Sequence, residues 1–214
     1  MTIDRDRPTR LLDLTLGVTG GSGAGFAAAA LRALAGNPRV GQVRLVFSDH
    51  VWDNLRAESG ESDAGVDALR ERFLAVPEGR EKITVYDSRD MAAPISSGSH
   101  RSDGMVVLPC SMSSLAAIAN GTSSTLTHRA ADVTLKQGRK LLLCVRESPY
   151  NLVHLENMVR AARAGAVIVP VTVLLYQRPA GVDDIIRQFV CRVLDLLGLD
   201  PADMPRWKGL PGNS

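Results

Sequence analysis

Adjacent side chains of opposite charge, Arg146 and Glu147, close the apolar run Leu141–Val145 and are followed by Ser148 and Pro149. Packing explains such a pair poorly at the end of a hydrophobic strand. A surface ion pair is one reading, and an anion-binding guanidinium beside a proton-moving carboxylate is the other. Three more polar turns follow apolar runs in the same way. Thr19-Gly-Gly-Ser-Gly-Ala-Gly25 comes after Leu14–Val18, Ser48 after Val43–Phe47, and Pro109-Cys-Ser-Met-Ser113 after Met105–Leu108. The backbone N–H groups of Gly20, Gly21 and Gly23, leading into a helix, suit a phosphate, and Ser22 adds a hydroxyl; a plain strand-to-helix turn explains the same glycines. Ser111 and Ser113 read either as helix caps or as hydroxyls turned to a ligand. Cys110 reads as a small buried apolar residue, since no histidine or cation neighbours it in the chain.

The sharper motifs fail on single positions. A dinucleotide fingerprint begun at Gly21 needs glycine where Phe26 stands, and a P-loop begun at Gly20 needs lysine there. A nucleophile elbow around Ser22 needs glycine at Ala24. Asp183-Asp184 is followed by Ile185, Ile186 and Arg187, so a D-D-x-x-D magnesium motif is missing, and these aspartates are expected to cap the last helix.

The elements that must carry these turns alternate along the chain. Leu14–Val18, Val43–Phe47, Ile83–Tyr86, Met105–Leu108, Leu141–Val145 and Ala166–Val169 read as strands buried on both faces. Between them the pattern predicts helices over Phe26–Leu34, Val51–Glu58, Val66–Phe73, Ser114–Ala119, Leu126–Leu135 and Leu155–Ala164, with Val182–Leu197 last, stopped by Gly198 and Pro201. Strand and helix in repetition predict a doubly wound α/β fold with a mainly parallel sheet. Ligands of such sheets sit beyond the carboxyl ends of the strands, where the polar turns fall. One domain over residues 11–200 is expected, behind a disordered leader (1–10) and before a C-terminal tail (201–214).

Composition narrows the classes. Of 214 residues, 45% are hydrophobic and 22% charged, as in ordinary globular chains, and a net charge of +2 argues against nucleic acid or anionic membrane as partner. No apolar run is long enough to span a bilayer. Three cysteines without C-x-x-C spacing and four scattered histidines speak against a disulfide framework or a metal site and fit the cytoplasm.

Taken in order, Pro109-Cys-Ser-Met, Ala117-Ile-Ala-Asn-Gly121, Arg129-Ala-Ala-Asp-Val-Thr-Leu-Lys136, Arg146-Glu-Ser-Pro149, His154-Leu-Glu-Asn-Met158 and Gly165-Ala-Val-Ile-Val-Pro170 resemble the UbiX family of flavin prenyltransferases. Thr19-Gly-Gly-Ser-Gly-Ala24, Ala93-Pro94, Ser97-Gly98-Ser99, Tyr176 and Asp183-Asp184 also match, so the resemblance spans about Leu14 to Leu199. It implies FMN as bound acceptor, dimethylallyl phosphate as donor, a new ring closed through flavin N5 and C6, and delivery of prenylated FMN to a UbiD-type decarboxylase. By position, it implies flavin contacts at Ser22, Ser48, Ser111, Met112 and Ser113, with the flavin phosphate near Gly20–Gly23 and Arg129. The donor phosphate would be held by Lys136, Arg146, Tyr176 and Arg192. Glu147 would be the acid/base, with Glu58 and Ser22 also in the active site and no metal. Members assemble as dodecamers with flavin sites between subunits.

Some positions depart from the family. Lys136-Gln137-Gly138-Arg139 replaces a more highly charged stretch, Val171–Leu175 replaces a proline-rich run ending in an aromatic, and Asp49, expected at the surface, replaces a lysine. The second change bears on donor preference. Related flavin-dependent cysteine decarboxylases share the fold but carry an active-site histidine and a Pro-x-Met-Asn-x-x-Met-Trp motif. This chain lacks the motif, and only His50 is expected near the flavin. An inactive FMN-binding paralogue would lose the donor-phosphate ligands, which are kept here.

Overall fold

A computed structural model describes residues 10–20, 22–60 and 63–201. The expected leader and tail, Arg10 and Pro201 apart, lie outside the described residues, as does Gly21 of the glycine-rich turn.

Leucine and β-branched runs buried on both faces satisfy their backbone by pairing on both edges inside a sheet. Here β1 (Leu12–Val18), β2 (Val40–Phe47), β3 (Ile83–Tyr86), β4 (Gly104–Cys110), β5 (Lys140–Val145) and β6 (Val167–Ile168) form one six-stranded sheet in the order β3-β2-β1-β4-β5-β6. Every pairing is parallel. The helices are α1 (Ala24–Gly36), α2 (Val51–Ser59), α3 (Val66–Leu74), α4 (Met112–Ala119), α5 (Leu126–Lys136), α6 (Leu152–Arg163) and α7 (Val182–Leu197). Alternate strand residues feed two cores. Leu16, Leu45 and Val106 pack with Leu31 of α1 and Val193 of α7, whereas Met105, Val107 and Leu141 pack with Leu115 of α4 and Ala130 of α5. The result is three layers, helix–sheet–helix.

From β1 the sheet runs one way to β3, and from β4 it runs the other way to β6. Connections leaving β1 and β4 therefore diverge, and a crevice opens between their carboxyl ends. Two glycines let side chains crowd that crevice. A Cβ on Gly17 of β1 would lie 2.8 Å from Thr127 Cγ2, so the bare backbone lets α5 settle onto the sheet. A Cβ on Gly20 would lie 2.9 Å from His50 Cβ, which holds the start of α2 against the first turn.

The structure moves several boundaries. The strand expected over Ala166–Val169 shortens to Val167–Ile168, an edge paired with β5 alone. Helix α6 begins at Leu152 rather than Leu155, because Asn151 and His154 form a capping box: Asn151 Oδ1 accepts the His154 N–H at 2.9 Å and His154 Nδ1 accepts the Asn151 N–H at 3.4 Å. Asp183 and Asp184 do not cap α7; Gly181 is its N-cap and both aspartates lie in its first turn. Asp184 instead pairs with Arg187 and accepts the Ala180 N–H at 2.9 Å, and these two contacts hold its carboxyl below the ordinary range.

Candidate active site

Thr19, Ser111 and His128 organise the crevice. Buried Thr19 donates its Oγ1 hydrogen to the Pro109 carbonyl at 2.9 Å and accepts the Ser111 N–H at 2.9 Å, locking the ends of β1 and β4 together. Ser111 is the N-cap of α4, its Oγ accepting the Ser114 N–H at 3.2 Å, so that helix opens at Met112 rather than at Ser113 or Ser114. Ser111 Oγ also lies 3.0 Å from Ser113 Oγ. The His128 ring bridges two hydroxyls, with Nε2 at 3.2 Å from Ser114 Oγ and Nδ1 at 2.9 Å from Ser124 Oγ. Burial lowers its pKa, favouring the neutral ring.

Two cavities meet at Gly20 and Ser111. One, of about 210 Å³, is walled by Thr19, Ser48, His50, Ser113, Thr127 and His128 among others. The second, of about 220 Å³, is lined by Ser22, Asn54, Met112, Arg146 and Glu147. Small-molecule sites usually hold ~300–1,000 Å³, so a ligand of flavin size needs both. In the first, Ser48 Oγ and Thr127 Oγ1 are buried without a hydrogen-bond partner among the described residues. Buried hydroxyls rarely stay unpaired, and these two fit the polar groups of a bound ligand.

The charged pair does not form the surface ion pair that was one of its readings. Arg146 donates its Nε hydrogen to the Ser22 carbonyl at 2.9 Å, and Glu147 Oε1 accepts the Ser148 N–H at 3.0 Å. Both face the second cavity. The first turn is occupied too. Gly23, the N-cap of α1, has no side chain to cap with, and Glu58 of α2 supplies the carboxylate, accepting the N–H groups of Gly23 and, at 3.0 Å, Ala24. That contact starts α1 at Ala24 instead of Phe26.

The remaining predicted residues lie elsewhere within the same chain, lining neither cavity. Arg129 is tied to the Ser96 carbonyl at 3.0 Å and to Asp132 at 2.7 Å. Lys136 ends α5 beside Gly98, Arg192 pairs with Asp195 at 2.8 Å, and Tyr176 sits exposed on the 3-10 turn Leu175–Gln177. Conversely, sequence reasoning set His128 aside among the scattered histidines, named Thr19 only as the start of the glycine-rich turn, and did not single out Thr127 or Asn54. The available signal was Thr125-Leu-Thr-His128 opening a helix, three polar side chains in one turn. Asp49 is exposed as expected and pairs with Arg89 and Ser88, which lower its carboxyl pKa, yet it also borders the first cavity. Cys110 is buried and its thiol is pushed up to about 12, an inert core group.

A larger cavity, about 640 Å³, lies between α1 and α7, with Ala29, Val190 and Leu194 in its wall and Pro201, a boundary of the described chain, at its rim. It sits away from the strand ends and lacks converging hydroxyls. The smaller pair of cavities, where hydroxyls and the Arg146–Glu147 pair converge, is therefore the candidate site.

Comparisons with known proteins give the family. The chain matches the Flavoprotein family over residues 4–194. It is 42% identical over 200 residues to a probable UbiX-like flavin prenyltransferase of Escherichia coli O157:H7, covering 94% of this chain and 95% of that one. The flavin prenyltransferase UbiX of Escherichia coli K12 is 40% identical over 198 residues, covering 92% and 98%. Among solved structures, a UbiX in complex with FMN and dimethylallyl pyrophosphate superposes with a TM-score of 0.80 at 39% identity, covering 94% of this chain and all of that one. A dodecameric FMN-dependent UbiX-like decarboxylase from Escherichia coli O157:H7 gives 0.79 at 39% identity, covering 92% and 100%. The FMN-dependent cysteine decarboxylase TvaF, at 15% identity and a TM-score of 0.57, shares the fold alone. The fold and site define a flavoprotein, and the chain belongs to the Flavoprotein family and, within it, to the UbiX-type flavin prenyltransferases.

Proposed function

We propose that this chain joins the dimethylallyl group of dimethylallyl phosphate to N5 and C6 of reduced FMN, releasing prenylated FMN for a UbiD-type decarboxylase in the cytoplasm. One observation carries the reading: hydroxyl-lined and Arg146/Glu147-lined cavities meet at the crevice between β1 and β4. Bound FMN supplies the nucleophilic ring atoms. Ser48, Thr127, Ser111 and Ser113 meet its polar groups, and the Thr19 lock fixes Ser111 for that contact. The Arg146 guanidinium, steadied by the Ser22 carbonyl, offsets the charge on the departing phosphate. Glu147 protonates that phosphate and then takes a proton from the substituted ring. Ser22 borders the same pocket, and Glu58 shapes the turn that carries Ser22.

Arg129, Lys136 and Tyr176 act on a chamber of a neighbouring copy in a homo-oligomer, the dodecamer being the expected assembly. Their failure to converge within one chain and the dodecameric relative both support this. Arg192 must leave Asp195 to reach a phosphate.

The test is anaerobic incubation with reduced FMN and either dimethylallyl phosphate or the diphosphate, followed by mass spectrometry of the flavin. A gain of one dimethylallyl unit, faster with the monophosphate, is expected. An unchanged flavin with both donors overturns the reading, and oxidative decarboxylation of a cysteine-ended peptide would assign the rival activity.

A further inference from the structure

Helix α6 packs one face inward and leaves the other uncovered. Asn157 and Ala161 are buried and Met158 packs against the α4–α5 core. On the outer face Leu152 is 69% exposed and Val159 48%, with Val153 and Leu155 exposed as well. Such an apolar stripe on one helix is unusual for a surface that meets only water. A shallow cavity of about 400 Å³ runs along it, bordered by Leu152, Leu155, Glu156, Val159, Arg160 and Arg163.

The charges on this stripe decide what covers it. At 100° per residue, Leu152, Glu156, Val159 and Arg163 fall on one narrow face, so the acid and the base are part of the apolar seam. Among the described residues neither Glu156 nor Arg163 makes an ion pair or side-chain hydrogen bond within its own chain. Arg160 is anchored to Asn120 Oδ1 at 3.0 Å. Glu156 lies toward the start of α6 and Arg163 closes it, about 10 Å apart along the axis. The midpoint between them falls between Val159 and Arg160. If two copies of α6 cross antiparallel about a two-fold axis there, Glu156 of each meets Arg163 of the other, and Val159 meets its own counterpart.

We infer that the outer face of α6 is an isologous docking surface for a second copy of this chain, held by reciprocal Glu156–Arg163 pairs around a Val159 contact. The inference goes beyond the proposed chemistry and presupposes only self-association, so mass is its readout and flavin turnover is scored separately.

The experiment compares the full chain with Glu156→Arg, Arg163→Glu and the double exchange by light scattering coupled to size exclusion, with circular dichroism to confirm folding. Each single reversal places like charges together and is expected to reduce the assembly to a smaller particle; the double exchange is expected to restore it. Val159→Cys, in a chain whose Cys110, Cys144 and Cys191 are buried, should oxidise to a disulfide-linked dimer. Unchanged mass in both single reversals overturns the inference. So does the absence of a Val159→Cys crosslink in an intact assembly, which would place this face against a different surface or a different protein.

Discussion

The crevice between β1 and β4 and the positions Arg129, Tyr176 and Arg192 were both expected to meet ligand, and they differ in one respect. At the crevice, Ser48, Ser111, Arg146 and Glu147 converge within one chain, positioned by strand ends and by the Thr19 lock. Arg129 and Arg192 are instead held in local pairs with Asp132 and Asp195 one helical turn away, and Tyr176 stands at the surface. A side chain placed by the sheet has its direction set by the fold. A cation on an exposed helix face has a direction only once something arrives to bind it. On the proposed function, the contrast separates a part of the site that one chain completes from a part that assembly would complete.

The largest expected effect tests the completed part. Glu147→Gln keeps shape and hydrogen bonding but removes the titrating proton, and it should lower the prenylation rate on the order of a hundredfold to ten-thousandfold while FMN titration is unchanged. Wild-type turnover would return Glu147 to a surface role. The next test breaks or confirms the division itself. Arg129→Ala and Glu147→Gln chains, each inactive, are unfolded together, refolded as mixed assemblies and assayed. Random mixing should revive about a quarter of the sites if Arg129 serves a neighbouring copy; no revival means that Arg129 serves its own chain.

A smaller effect concerns the two unpaired hydroxyls. Ser48→Ala or Thr127→Val should weaken FMN binding by about 1 kcal/mol, roughly fivefold, yet leave the melting temperature of the flavin-free chain unchanged or slightly higher. A drop in melting temperature without loss of affinity would make these hydroxyls structural. The smallest effect is the pH dependence of folding. Burial lowers the pKa of His128, so the unfolded chain binds the proton more readily. Its contribution is complete above the ordinary imidazole pKa of about 6.5 and is lost as pH falls below it. His100 shifts the same way, chiefly through burial and then Arg44, against Asp13. Denaturant midpoints between neutral and mildly acid pH should fall less steeply in His128→Asn than in the wild type.

The sequence alone made the centre of the sheet legible because β1, β4 and β5 are buried along most of their length and read as nearly continuous aliphatic runs. Ile83–Tyr86 and Val182–Leu197 were expected with the bounds the structure gives them. Helix starts were less legible where the cap is remote. Nothing near Gly23 announces that Glu58, thirty-five positions on, begins α1. The polar turns pointed to the crevice because strand ends fix where they emerge. His128 was missed because its role comes from α5 lying against Gly17, a contact between distant segments that no local spacing records.

The Glu58 carboxylate on the α1 terminus has a consequence for any anion that uses the same N–H groups. At Gly23 and Ala24 the seat is already taken by a tethered rival whose local concentration no buffer can dilute. An arriving phosphate must win an exchange instead of filling a vacancy, so its apparent affinity is its intrinsic affinity multiplied by the fraction of time Glu58 is away. In return, the turn keeps its anion-ready shape between ligands. Glu58→Gln, with the formal charge gone, should lower the threshold for anions at that turn and loosen the first residues of α1.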